Sequence, residues 1–270
     1  MDADQLAFEQ DAKRVRFVLV EPSHPGNIGA AARAIKTMGF ASLHVVSPRF
    51  PDYREHPDAI AFATSAADVL AASRCHATLS DALEGVTRAW AMSGYDRLYG
   101  PPMAELRSCA GQARELLATA GTLELAFVFG TERSGLTNEQ VDLCQACCAI
   151  PANPEFPSLN LAQAVQVAAY ECQIALRASG ELREGQRRFE EDPPATVAAI
   201  EGFYAHLEQA MIAIGAHKPE EPKFLLPRLR RLFARAGLTM TEVDLLRGVC
   251  AAIIRPRAER IGSKTVRRGE

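Results

Sequence analysis

Short, almost uninterrupted apolar runs alternate along the first two thirds of the chain with longer stretches whose apolar residues recur at helical spacing. Arg16–Val20, Leu43–Ser47, Cys75–Thr78, Val86–Met92, Leu125–Gly130 and Cys147–Pro151 read as strands. The first, Arg-Phe-Val-Leu-Val, lacks polar alternation, which predicts burial on both faces. Ile28–Met38 (with Gly39 placed to end it), Ala59–Ala72 and the region around Ala104–Ala120 read as the intervening helices. A longer helix over Leu159–Ala178 follows the last strand, with Leu161, Val165, Ala168, Ala169, Cys172 and Leu176 on one stripe. This alternation predicts an α/β fold built on a parallel sheet with helices on both faces.

Periodicity stops at residues 179–195, which are charged, contain a Pro pair and read as a linker. Three helical patterns follow and predict a small all-α C-terminal segment over residues 196–256. Val197–Gly215 carries Ile200, Phe203, Tyr204, Leu207, Met211 and Ile214 on one face. Phe224–Ala236 places Leu225, Leu229, Leu232 and Phe233 inside and Arg228, Arg230, Arg231 and Arg235 outside or at the flanks. Thr239 and Glu242 form a capping box for a helix through Ile254. Residues 257–270 lack apolar spacing and read as a disordered basic tail. The preceding block, residues 1–178, forms the main domain.

Charge separates these parts. Net charge is −3 overall, but residues 224–270 hold eleven Lys/Arg against four Asp/Glu, a net of +7, leaving −10 on the first 223 residues. Such asymmetry points to a nucleic-acid- or membrane-facing end. No apolar run approaches the ~20 residues of a membrane span. The acidic, polar N-terminal stretch lacks a signal-peptide core, so the expected compartment is the cytoplasm. Seven unevenly spaced cysteines fit reduced thiols. Cys144-x-x-Cys147-Cys148 has no second Cys/His pair to complete a zinc site and reads as small buried hydrophobes near a strand.

Candidate chemistry sits in three loops where a strand-like run gives way to a Gly- or Pro-rich turn opening a helix, the usual ligand position in α/β folds. The first, His24-Pro25-Gly26-Asn27-Ile28-Gly29, does not meet the dinucleotide fingerprint G-x-G-x-x-G. Ser47-Pro48-Arg49 also stands where a ribose-binding carboxylate would be needed. The second, Gly130-Thr131-Glu132-Arg133-Ser134-Gly135, lacks the Gly-Lys-Ser/Thr ending of a phosphate loop, and its Glu132 reads as a ligand contact. The third has Pro151, Pro154 and Pro157 ahead of Ser158 and Asn160, a stiff turn capped by one of those two polar residues.

Together, N-x-G-x-x-x-R (Asn27, Gly29, Arg33), F-G-x-E-x-x-G-L (Phe129 to Leu136) and I-P-x-N…S-L-N-L (Ile150 to Leu161) resemble the three motifs of the SPOUT methyltransferases. More narrowly they resemble the TrmH-like RNA 2′-O-ribose methyltransferases. The stretches Glu21–Asn27, Ala34–Gly39, Phe203–Glu208, Leu229–Arg235 and Leu245–Gly248 extend the resemblance to the TrmJ-type tRNA methyltransferases across nearly the whole chain.

The resemblance implies a C-terminal trefoil knot in the main domain, a departure from the general avoidance of knots. It also implies one S-adenosylmethionine pocket built from the three loops with Met92, Ser93 and Gly94. Gly130, Ile150, Ser158 and Leu159 would hold the adenine and ribose, with Pro157 among the cofactor contacts. The implied partners are tRNA and a second copy of the chain completing the active site, with no metal. The implied reaction methylates the ribose 2′-OH of nucleotide 32 in the anticodon loop; a different tRNA or rRNA nucleotide is the alternative. Arg33 is the candidate catalytic residue, supported by Asn27, Glu132 and Ser158. A guanidinium stays protonated and accepts nothing, so gripping a phosphate and orienting the ribose fits it better than proton abstraction, and His24 is another candidate acceptor. Arg228, Arg230, Arg231, Arg235 and Arg247 are the expected RNA-backbone contacts.

Overall fold

A computed structural model of the chain describes residues 3–95, 97, 100–119, 121–177, 192–220 and 224–255. Among the described residues the strands are β1 (Val15–Val20), β2 (Leu43–Val46), β3 (Arg74–His76), β4 (Val86–Met92), β5 (Met103–Glu105), β6 (Glu124–Phe129) and β7 (Ala146–Ala149). They form one sheet in the order β3-β2-β1-β6-β4-β7-β5, and each pairing is parallel. The helices of this unit are α1 (Ala3–Ala12), α2 (Pro25–Thr37), α3 (Pro57–Ala63), α4 (Ala67–Ala72), α5 (Leu79–Ala82), α6 (Leu106–Thr119), α7 (Asn138–Asp142) and α8 (Leu161–Arg177). No helix of the described residues is long and apolar enough to cross a membrane.

Successive strand residues point to opposite faces, so the unbroken apolar runs supply two cores at once. Phe17, Leu19, Trp90, Phe127 and Phe129 face the core completed by α1, α2, α6 and α8. Val18, Val20, Ala89, Ala91, Ala126 and Val128 face the other, completed by α5 and α7. Aromatic rings cross the first core in a row, Phe8 to Phe40 (5.8 Å), Phe40 to Phe17 (5.2 Å), Phe17 to Phe127 (6.3 Å) and Phe127 to Trp90 (4.9 Å). Cys147 and Cys148 also divide between the two cores, and neighbours on opposite faces of a strand cannot ligate one ion. Cys144, Cys147 and Cys148 are buried small side chains.

Several elements differ from the sequence reading. The expected helix over Ala59–Ala72 breaks at Thr64, whose φ of +48° no continuous α-helix accommodates; a 3₁₀ turn over Thr64–Ala66 separates α3 from α4. Helix α1 lies in a stretch read only as polar, and it is held by Phe8, buried in the aromatic row. Strand β5, three edge residues of which two are half-exposed and Glu105 is exposed, gives no apolar run to detect. Helix α7 is five residues long and rests on a capping box between Thr137 and Gln140.

Gly29 also has a packing reason. A Cβ there would lie 2.0 Å from the Ala59 carbonyl oxygen, so the absence of a side chain sets the approach of α2 to α3 rather than serving a ligand. Gly29→Ala is expected to cost about 1–3 kcal/mol or more, because the obstacle is backbone that cannot swing aside. Thermal unfolding would detect it as a clear drop in Tm; an unchanged Tm would contradict the close approach.

The C-terminal helices α9 (Val197–Ala213), α10 (Leu225–Ala236) and α11 (Met240–Ile254) enclose a third core around Phe203, Tyr204, Leu207, Val243 and Cys250. The inner face of α10 is narrower than its pattern implies: Leu229 and Phe233 pack on this core, whereas Leu232 is 49% exposed. The end of the expected linker is built into the fold. Ala195 N donates to Leu238 O (2.9 Å), Met240 N to Pro193 O (2.9 Å), and Asp192 accepts from Thr239 Oγ1 (2.5 Å) and Thr241 N (3.1 Å). Residues 179–191 of that linker and the tail 257–270 lie outside the described residues.

Candidate active site

Strand β1 ends at a strained step. Glu21 adopts φ +49°, unusual for a residue with a side chain, and turns the chain sharply into α2. Pro25 occupies the first turn of that helix, and His24 caps it by accepting from Gly26 N through Nδ1 (3.1 Å). Nδ1 is thereby engaged in the helix cap rather than free to receive a substrate proton.

Helix α2 aims Asn27 at the second loop. Its Nδ2 donates to Glu132 Oε1 (2.7 Å), while Glu132 Oε2 accepts from Ser23 N (2.9 Å) and Ser23 Oγ (2.8 Å). Asn27 Oδ1 accepts from Asn160 Nδ2 (3.0 Å), and Asn160 Oδ1 caps α8 by accepting from Ala162 N (2.9 Å). One chain of hydrogen bonds therefore runs from the start of α8 through Asn160, Asn27 and Glu132 to Ser23 and ties the three loops together. Asn160, not Ser158, is the cap, and the helix starts at Leu161 rather than Leu159. Partial burial pushes the Glu132 carboxyl upward, but the hydrogen bonds from Asn27 and Ser23 outweigh that and hold it below the usual glutamate value. Glu132 is thus an ionised acceptor with its lone pairs engaged, suited to holding loops in place rather than to taking a proton.

The second loop closes on itself. A Cβ on Gly130 would stand 2.1 Å from the Gly135 carbonyl carbon, Gly135 N donates to Thr131 O (2.9 Å), and Gly135 has φ +68°. The segment after β4 joins it through Arg97, which donates to Leu136 O (2.6 Å) and hydrogen-bonds Asn138 Oδ1.

These loops surround a cavity of about 500 Å³, within the range of small-molecule sites. Met92, Ser93 and Gly94 line it from the end of β4, and Gly130 and Glu132 from the second loop. Ile150, Pro157, Ser158 and Leu159 line it from the third, so all eight expected cofactor contacts meet in one place. Thr131, Ser134 and Arg133 add polar groups to the rim. Asn27 touches the site through Glu132. Arg33 is exposed on α2 and is not part of the cavity wall of its own chain. Sequence reasoning left out Ser23 and Asn160 as site residues, although both lie within quoted motif stretches; nothing in the pattern marks Arg97 as the strut between loops.

The expected RNA-contacting arginines divide. Arg228, Arg235 and Arg247 are exposed, and Arg231 is half-exposed. Arg230 instead turns inward: it pairs with both oxygens of Glu201 (2.7 and 2.8 Å), donates to Asp142 O (3.2 Å) and lies 4.3 Å from the Tyr204 ring centroid. A bidentate partner within reach keeps the guanidinium there. It clamps α10 and α9 to the C-terminal end of α7. Arg230→Ala is expected to destabilise the C-terminal helices by about 2 kcal/mol, between the values for exposed and buried pairs. Denaturant unfolding followed by hydrogen exchange in α10 would measure this, and unchanged exchange protection there would refute the clamp.

Residues 14–170 match the SpoU rRNA Methylase family, and residues 198–262 match the C-terminal domain of the tRNA methyltransferase TrmJ. The chain is 44% identical over 242 residues to the tRNA (cytidine/uridine/adenosine-2′-O-)-methyltransferase TrmJ of Pseudomonas aeruginosa, covering 87% of this chain and 92% of that protein. It is 43% identical to the tRNA (cytidine/uridine-2′-O-)-methyltransferase TrmJ of Escherichia coli K12, covering 89% and 95%. Among solved structures, TrmJ from Z. mobilis ZM4 aligns with a TM-score of 0.72 at 30% identity over 88% of this chain and 98% of that one. A probable methyltransferase from Bordetella pertussis Tohama I aligns with a TM-score of 0.60 at 52% identity over 62% and 99%. With both segments matched and the likeness spanning most of its length, the chain belongs to the SpoU rRNA methylase family, on the TrmJ branch of tRNA 2′-O-methyltransferases.

Proposed function

We propose that the protein transfers a methyl group from S-adenosylmethionine to the ribose 2′-OH of nucleotide 32 in the tRNA anticodon loop, acting in the cytoplasm as a homodimer. The observation that carries this reading is the hydrogen-bond chain Asn160–Asn27–Glu132–Ser23, which fixes all three motif loops around one cavity. The residues present suit the donor. Met92, Ile150 and Leu159 offer apolar walls to a purine, backbone at Gly94 permits close approach, and ionised Glu132 gives the wall a negative group that suits a cation. When bound there, S-adenosylmethionine supplies an electrophilic methyl on a sulfonium.

The protein's own part is alignment. Arg33 holds a phosphate beside the target nucleotide and sets the ribose 2′-oxygen in line, and the proton leaves to that phosphate or to water. Asn27 and Glu132 keep the loops in register, and Ser158 contacts the cofactor at the cavity wall. Since Arg33 lies outside its own chain's cavity, a second copy supplies it. Helices α3 and α8 flank α2 and expose Ile60, Phe62, Tyr170 and Ile174, an apolar face for that copy. Residues 1–178 form the knotted methyltransferase unit, and the helical unit over 196–256 adds backbone contacts through Arg228, Arg231, Arg235 and Arg247. Charge on the phosphates then sets affinity without fixing the base read.

Transfer of labelled methyl from S-adenosylmethionine to an unmodified full-length tRNA transcript, with the product nucleotide mapped, tests the reading. Methylation at the 2′-oxygen of nucleotide 32 is expected. Methylation of another nucleotide would correct the substrate, and cofactor binding with no transfer to any tRNA would overturn the reaction assigned.

A further inference from the structure

Two aromatic side chains beside the cavity have no role in the core. Tyr95 lines the cavity and is 63% exposed, and Phe156, in the third loop, is 75% exposed. Both stand on fixed turns. Ser93 Oγ donates to Tyr95 O (2.8 Å), and the Arg97 guanidinium, pinned to Leu136 O, lies 5.7 Å from the Tyr95 ring centroid. Phe156 N donates to Asn153 O (2.9 Å), Glu155 N donates to Asn153 Oδ1 (3.0 Å), and Pro154 and Pro157 stiffen the same turn. The turns adjoin: a Cβ on Gly94 would lie 3.9 Å from Pro157 Cβ.

Exposed aromatic rings on hydrogen-bonded turns that border a ligand cavity offer faces on which a planar group can stack. From these positions we infer that Tyr95 and Phe156 form a stacking surface for unpaired bases of the RNA substrate, Tyr95 taking the base of the target nucleotide. This rests on the ribose-methylation reading and goes beyond it. A ribose can reach the cavity only if its base leaves the loop stack, and an aromatic face receives any unstacked base without reading its edges. The cation behind Tyr95 strengthens such a platform.

Kinetics with full-length tRNA test it in Tyr95→Ala, Tyr95→Phe and Phe156→Ala. Tyr95→Ala is expected to raise KM for tRNA by about 5- to 150-fold, the range for loss of one base–aromatic stack. Tyr95→Phe keeps the ring and is expected to match the wild type, and Phe156→Ala shifts KM in the same direction as Tyr95→Ala. Pyrrolocytidine at the methylated position should be quenched by the wild type and Tyr95→Phe and stay bright with Tyr95→Ala. Unchanged KM and quenching in Tyr95→Ala would overturn the inference. So would Tyr95→Phe failing like Tyr95→Ala, or sedimentation showing that either alanine variant dissociates a dimer, which would assign the rings to a protein partner. Absence of methyl transfer by the wild type marks failure of the parent reading, and the inference falls with it.

Discussion

Arg33→Ala is expected to lower kcat for tRNA methylation by about 10²–10³-fold, as for other single groups that stabilise charge at the reacting centre, with Tm and cofactor Kd unchanged. The residue is exposed on α2 and outside the cavity wall, so neither the core nor the cofactor pocket depends on it. Its chemistry limits the role proposed for it. A guanidinium remains protonated throughout the working range, so it orients and neutralises but does not abstract a proton. The residual activity of Arg33→Ala should therefore keep the wild-type pH dependence. Arg33→Lys should recover only part of the rate, because an ammonium carries the charge without the planar fork. Single-turnover methyl transfer across pH measures both. A shifted pH profile in Arg33→Ala would make Arg33 part of the proton path, and an activity within tenfold of wild type would remove it from the site.

The sheet and the site were legible for the same reason. Phe17–Val20 of β1, Ala89–Ala91 of β4 and Leu125–Phe129 of β6 are buried on both faces, so these stretches are apolar runs, and the ligand loops begin just past them. The residues lining the cavity were legible through resemblance rather than spacing: nothing in periodicity brings Met92, Gly130 and Leu159 together, since that juxtaposition belongs to the topology. What escaped was decided by tertiary partners. Thr64 breaks an alanine-rich helix through a left-handed backbone that its sequence does not announce. Arg230 has the same pattern signature as Arg228 and Arg235, and only the position of Glu201 on a different helix turns it inward. Short β5 carries too few apolar residues to register.

Glu132→Gln should produce the second large effect, and it tests the link between loop geometry and function. The carboxylate accepts from Asn27 Nδ2 on one oxygen and from Ser23 N and Oγ on the other. A glutamine has one acceptor oxygen, and its amide group must face a donor on the other side. At least one bond is lost and a donor pair is opposed, costing about 1–3 kcal/mol, toward the lower end because the side chain is only half-buried. With the loops no longer held in register, cofactor Kd is expected to rise by about 5- to 150-fold if the full cost is felt at the pocket.

The pH dependence separates this from a generic packing defect. Glu132 is held below its reference pKa of 4.5, so its ionised form stabilises the fold above that value, and the contribution is lost as pH falls through the depressed folded value. The stability gap between wild type and Glu132→Gln should be constant at neutral pH and narrow below about pH 4.5. Denaturant unfolding across pH, paired with cofactor titration, measures both quantities. A gap that persists unchanged in acid would mean the charge of Glu132 is immaterial. A gap without weakened cofactor binding would separate the hydrogen-bond chain from the pocket it surrounds.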